Sequence, residues 1–187
     1  MGKVHDVLTE GYREFIACQH VFFVATAPSG TDGHVNLSPK GLDSLRVVDE
    51  RTVVYLDYVG SGVETIAHLR DNGRITLMFC AFEGPPKIVR LHGRGEVLEP
   101  QDARFPGHRA RFGETKPGAV RSIIAVHVER ASDSCGFGVP LYRFEGDRAQ
   151  LGDWAEKKGP EQLVGYQRKH NASSIDGLPG LDWARED

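Results

Sequence analysis

Apolar residues along this chain gather in short runs, and most of those runs have the length and composition of β-strands. Residues 21–27 (V-F-F-V-A-T-A) are apolar and rich in β-branched and aromatic side chains, which predicts a buried strand. Pro28, Gly30 and the Asp32-Gly33 pair then predict a hairpin-type turn. Residues 34–38 alternate, so Val35 and Leu37 are expected to face the core while His34, Asn36 and Ser38 face outward; Pro39-Lys40-Gly41 is expected to interrupt that strand. Residues 45–48 and 52–57 read as two further strands joined by a turn at 49–51. Residues 75–82 are apolar throughout, the pattern of a strand covered on both faces. The most regular stretch is 87–98, with Val89, Leu91, Gly93, Gly95 and Val97 on one side and Ile88, Arg90, His92, Arg94 and Glu96 on the other. Its two inner glycines predict a sharp bend. With a last strand at 122–128, about seven short strands and few long crossovers predict an antiparallel barrel or sandwich.

Helical spacing appears in fewer places. Leu8, Tyr12, Phe15 and Ile16 predict an amphipathic helix over 4–19. A glycine-flanked turn, Gly60-Ser61-Gly62, follows the strand at 52–57 and opens a helix whose apolar stripe is Val63, Ile66, Ala67 and Leu69, with Gly73 as its stop. Ser61 and Glu64 have the spacing of a capping box. A strand, a glycine turn and a helix N-terminus also make an anion site, because unpaired N–H groups and the positive end of the helix dipole point the same way. Spacing alone leaves both readings of the turn open. Residues 100–113 read as a helix broken at Pro106-Gly107.

Beyond residue 131 the pattern changes. Residues 135–140 are too glycine-rich for a regular element. Leu151, Trp154 and Ala155 mark one helix, Gly159-Pro160 closes it and opens another carrying Leu163, Val164 and Tyr166, and Asn171 suits a left-handed C-terminal residue. Residues 173–180 are expected to form an irregular tail packed on the body. The expected organisation is one domain over 1–187, with a barrel at about 12–130 and an appendage at 131–187.

Composition narrows the candidate partners. The 187 residues are 40% hydrophobic and 26% charged, and 23 basic against 26 acidic residues leave no basic footprint for nucleic acid. Small molecules are the better candidates. Cys18, Cys80 and Cys135 are far apart and lack histidines at metal-ligand spacing, which suits reduced thiols in a cytoplasm. Met1 to Asp6 has no signal-peptide character, and no apolar run reaches the ~20 residues of a membrane span, so a soluble cytoplasmic protein is expected. No nucleophile elbow or H-E-x-x-H pair is present, and His92 and His127 read as surface or interface residues. What remains is a set of anion-binding groups: Ser38 and Lys40 after one strand, Ser61 with the Gly62 and Val63 N–H groups at the helix start, and Arg90 on the polar face of a third element.

The ordered motifs H-V-N-L-S-P-K-G, V-V-Y-L-D, G-S-G-V-E-T-I-A-H-L-R-D-N-G-R-I-T-L-M-F and I-V-R-L-H-G-R-G resemble the pyridoxamine 5′-phosphate oxidase-like family of FMN-binding split barrels over about residues 12–130. S-C-G-F-G-V-P-L and S-I-D-G-L-P-G resemble one bacterial and fungal branch of it. The resemblance implies a mainly β fold with α appendages: an antiparallel split β-barrel of six to seven strands, a helical C-terminal extension, and a homodimer with FMN at its interface. It also implies that Lys40, Ser38, Ser61 and Thr65 anchor the phosphate with the Gly62 backbone, that Tyr55, Leu56 and Asp57 border the ring, and that Arg90 supports the phosphate or a substrate anion. At the helix start the family's oxidases carry serine-arginine-lysine where this chain has Val63, Glu64 and Thr65, and the oxidases' C-terminal arginine and histidine motif is not apparent. The implied activity is therefore that of a different branch: hydride or electron transfer between a nicotinamide donor and a small molecule, with no residue assigned to proton transfer. The alternatives are a protein that holds flavin, deazaflavin or haem without turnover, and a barrel whose site has degenerated.

Overall fold

A computed structural model describes residues 2–185; Met1, Glu186 and Asp187, part of the expected 1–187 span, lie outside the described residues. Eight strands form one antiparallel sheet: β1 (Val4–His5), β2 (Phe22–Thr26), β3 (Asn36–Lys40), β4 (Leu45–Val47), β5 (Thr52–Tyr58), β6 (Arg74–Cys80), β7 (Ile88–Leu98) and β8 (Val120–Ser134). They are ordered β3-β2-β6-β7-β8-β5-β4, with β1 paired to β8. The sheet curls around a core that includes Val24, Val53, Tyr55, Leu77, Leu91 and Val126, and helices α1 (Glu10–Ala17) and α2 (Glu64–Asn72) contribute Tyr12, Ile16, Ile66 and Leu69 to it. β3 and β4 end the sheet path, and the barrel is split between them.

The split barrel follows the expectation, with β1 added. Val4 and His5 pair with Ser132 and Ala131 instead of starting a helix. Helix α1 begins only after Thr9, whose hydroxyl accepts the Tyr12 N–H at 3.3 Å. Prolines are accommodated in places the sequence reading treated as breaks. Pro39 lies within β3, which is tolerable because an edge strand has a side that makes no ladder bonds. Pro106 sits in the first turn of α3 (Phe105–Arg109), where a missing N–H leaves no helical bond unmade.

The facing of β3 is the reverse of the expectation. Register pairs Asn36, Ser38 and Lys40 with Thr26, Val24 and Phe22, whose side chains point inward. Val35 and Leu37 therefore face out, 75% and 63% exposed. Inward polarity is sustained because these side chains bond to one another and to α2. β6 also alternates: Ile75, Leu77 and Phe79 are buried, while Thr76 and Met78 are half-buried on the outer face. The bend in β7 is real, since the pairing with β8 shifts register between His92 and Gly93, and a Cβ at Gly93 would collide with the His127 carbonyl.

The predicted capping box does not form. The residue capping α2 is Val63, with no side-chain bond; Ser61 is exposed, and the Glu64 Oε1 instead accepts the Ile175 N–H at 3.3 Å. At the other end Gly73 stops the helix at φ 72°, as expected. Helix α4 (Gln150–Asn171) breaks at Gly159, with φ 71° and ψ 165°, as its Gly-Pro pair predicts. Asn171 is not left-handed: it is buried and its Nδ2 donates to the Gly60 carbonyl at 3.0 Å, which holds the helix end in place.

Residues 173–185 pack on the body. Asp176 accepts the His34 backbone N–H at 2.8 Å and bonds its ring Nδ1 at 2.7 Å, Leu181 is fully buried, and Asp182 pairs with Arg70, which also pairs with Glu99. Among the described residues no helix is long and apolar enough to cross a membrane.

Candidate functional site

Asp57 is the centre of the split. It ends the inward row Val53-Tyr55-Asp57 of β5 and is fully buried. Lys40 reaches it across the split from β3, with Nζ 3.2 Å from Oδ1. Arg121 Nε donates to Oδ2 at 2.7 Å, and the Ser122 hydroxyl donates to the same oxygen at 3.2 Å. Burial alone would raise the pKa of this carboxyl, but Arg121 and Lys40 outweigh it and hold the group at about 2.

Arg121 owes its aim to a β-bulge. Asp57 pairs with Ser122 and Tyr58 with Val120, so Arg121 is the extra residue on β8 and its side chain leaves the ladder. Its guanidinium spans Asp57 and the glycine turn, with Nη1 donating to the Gly62 carbonyl at 2.7 Å and to the Gly60 carbonyl at 3.4 Å.

A second network joins β3 to α2. The Ser38 hydroxyl donates to Asn36 Oδ1 at 3.0 Å, and Asn36 Nδ2 donates to the hydroxyls of Thr65 and Thr26 at 3.0 and 3.1 Å. Thr26 bonds His68 Nδ1 at 3.0 Å. His68 is fully buried and its Nε2 has no partner among the described residues. Burial lowers its pKa, against the opposing pull of Asp176 and Glu64.

The structure thus brings together Ser38, Lys40, Asp57 and Thr65, with Ser61 and Gly62 on the turn that Arg121 holds. Glu64 folds back over this turn, where its carboxylate occupies the space a Cβ on Gly62 would need. Tyr55 is buried beside Asp57 with an unpartnered hydroxyl, and burial raises its pKa well above the ordinary tyrosine value. Leu56 points to the other side of β5, against Val54, Leu98 and Ile123, and its N–H is donated to the Ser44 carbonyl at 2.8 Å. Arg90 is not part of the cluster. Register aligns it with Met78, Phe23 and Pro39 on the outer face, where it donates to the Ser134 hydroxyl at 3.1 Å.

Two hollows flank these residues. One of about 660 Å³ lies between α1 and the β3–β4 connection, floored by Phe22 and Phe79 and rimmed by Arg13 and Arg46. Its rim includes Asp43, which with Leu42 adopts positive φ (51° and 61°), a conformation that costs non-glycine residues energy. The other, about 410 Å³, lies on the outer face between Val35, Thr76, His92 and Arg94.

Sequence reasoning missed Arg121 and the role of Asn36. Arg121 stood one position before the predicted strand, and no residue pattern announces a bulge. Asn36 was visible in the alternation of residues 34–38, but on the wrong face.

Comparison with known proteins gives a consistent family. Residues 8–135 match the family described as pyridoxamine 5′-phosphate oxidase. A pyridoxamine 5′-phosphate oxidase family protein of Aspergillus flavus, ustO, is 40% identical over 204 residues, covering 100% of this chain and 81% of the relative. HupZ of Group A Streptococcus is 26% identical with a TM-score of 0.50, covering 66% of this chain and 90% of that one. An FMN-binding protein of Syntrophomonas wolfei shares the fold at a TM-score of 0.52 and 16% identity, over 73% of this chain and 88% of its own.

Proposed function

The chain belongs to the pyridoxamine 5′-phosphate oxidase family, and from that premise we propose that it binds FMN at the split and works as a flavin-dependent oxidoreductase. The observation that carries this reading is that β3 bears both Lys40, tied through Asp57 and Arg121 to the Gly60-Ser61-Gly62 turn, and Ser38, joined through Asn36 to Thr65 of the helix that this turn opens. That donor set fits a phosphate: three hydroxyls, a lysine side chain still 22% exposed, and a helix start that no side chain caps. The FMN-binding relative of the same fold supports flavin as the ligand.

In this reading the flavin supplies the redox chemistry, passing hydride or electrons between a nicotinamide donor and a small acceptor. Lys40 and the Ser38, Ser61 and Thr65 hydroxyls bind the phosphate. Asn36 orients Ser38 and Thr65 by bonding both. Tyr55 and Asp57, both fully buried, would back the site from inside the barrel. Arg90 acts on the other face of the sheet, at the surface a second copy would cover, and the exposed Val35 and Leu37 on that face support a homodimer. The location is cytoplasmic.

The test is a visible spectrum of the purified protein with mass spectrometry of any released ligand, followed by anaerobic mixing with NADH or NADPH. A yellow protein that releases FMN and bleaches on mixing is the expected result. A yellow protein that does not bleach would mean binding without turnover, and a deazaflavin, a haem or no ligand would replace the proposal. Lys40→Ala is expected to weaken FMN by about 1.5–3 kcal/mol, the worth of a charged hydrogen bond, in a fluorescence titration. An unchanged affinity would remove Lys40 from the phosphate site.

A further inference from the structure

The basic pair that the family's oxidases carry at the helix start is missing here, and Arg121, from a different element, holds the turn instead. Asp57 is a single carboxylate facing two cations, Lys40 and Arg121, and the side chains of Asp57 and Arg121 are 0% and 5% exposed.

Arg121 sets the direction of the turn's backbone. In a trans peptide the C=O and the following N–H point in opposite directions. Arg121 draws the Gly60 and Gly62 carbonyls toward itself, so the N–H groups of Ser61 and Val63 point away from it. Neither N–H has a partner among the described residues. Asn171 reinforces the arrangement by donating to the Gly60 carbonyl as well. The one opposing group is Glu64, whose carboxylate lies over Gly62 and is held by the Ile175 N–H.

We propose that Arg121 is the positioning residue of the phosphate-binding turn: its fork ties Asp57 to the Gly60 and Gly62 carbonyls and so turns the Ser61 and Val63 N–H groups away from itself, free to meet a phosphate. The inference rests on the proposed binding of FMN at this site. Arg121 touches no phosphate in this arrangement. A lysine in its place would keep the charge but not span Asp57 and two carbonyls.

The experiment compares FMN with riboflavin, which lacks the phosphate, in fluorescence titrations of the full chain and of Arg121→Lys and Arg121→Met. The expected result is a wild-type preference for FMN that falls about tenfold to a hundredfold in both variants, the worth of one or two charge-assisted hydrogen bonds, while riboflavin affinity moves less than about threefold. Glu64→Gln should shift the preference the other way. In the variants Asp57 keeps Lys40 as a partner, and melting curves without flavin check that they fold; should Arg121→Met not fold, Arg121→Lys decides. A wild-type preference retained in Arg121→Lys, or equal losses of FMN and riboflavin, would overturn the proposal. Wild-type protein that binds neither flavin would instead overturn the flavin reading on which it rests.

Discussion

The two faces of β3 meet opposite surroundings. Inward, Asn36, Ser38 and Lys40 each bond a neighbour, and Lys40 crosses the split to a carboxylate that is fully buried. Outward, Val35 and Leu37 stand 75% and 63% exposed, beside half-buried Thr76 and Met78 of β6. A strand that answered only to its own core would show the reverse. The difference teaches that β3 serves two tasks: its polar row builds a polar wall for the split, and its apolar row suits contact with another apolar surface.

The comparison is most strongly tested at Asp57. Asp57→Ala leaves Arg121 and Lys40 without their carboxylate and should cost about 3 kcal/mol or more in denaturant unfolding. Stability near that of the wild type would mean that the inward row does not anchor the split. On the outward side, in the proposed homodimer, Leu37→Glu should raise the dissociation constant by about 30-fold in sedimentation equilibrium and leave the unfolding free energy of the chain within about 0.5 kcal/mol. A monomeric wild type would remove the second task altogether.

The smallest expected effect is on pH dependence. His68 sits behind Asn36 and Thr26 with its folded pKa depressed below 6.5. The unfolded chain therefore binds more protons in the window just below that value, and stability should rise with pH there and fall as the solution is acidified through it. Asp57 adds a second loss only below the ordinary carboxylate range, as pH falls from 3.8 toward about 2. Melting curves between pH 4 and 8 stay above the Asp57 loss, so a comparison of the wild type with His68→Phe isolates the histidine, because the variant should lose the slope that sets in below 6.5. The same slope in both would show that His68 does not carry it.

Runs of apolar residues revealed β2 and β4 to β8, and helical spacing with a glycine stop revealed α2, because these segments carry the apolar residues that the core buries; β1, two residues long, displays no period. β3 resisted the same logic. Alternation shows which side chains share a face but not which face is covered, and the decisive fact, hydrogen bonds from Asn36 to Thr26 and Thr65, joins residues up to 29 positions apart. The Ser61–Glu64 pair failed for a related reason: the local bond was available, but the Ile175 N–H, 111 positions away, took the carboxylate. Of the predicted site, Ser38, Lys40, Asp57 and Thr65 are gathered in one place, whereas Arg90 lies on the opposite face because the register puts it beside Met78.

The glycine turn and the start of β3 are both held by residues that follow the last barrel strand: Asn171 on the Gly60 carbonyl and Asp176 on His34, over separations of 111 and 142 residues. During synthesis the barrel strands emerge first, and the groups that fasten these two segments follow them. Closing such long loops is slow relative to local pairing. Biogenesis thus has a built-in order, in which the sheet is available to fold first and the receiving end of the split takes its final shape only after residues 171–176 have been made.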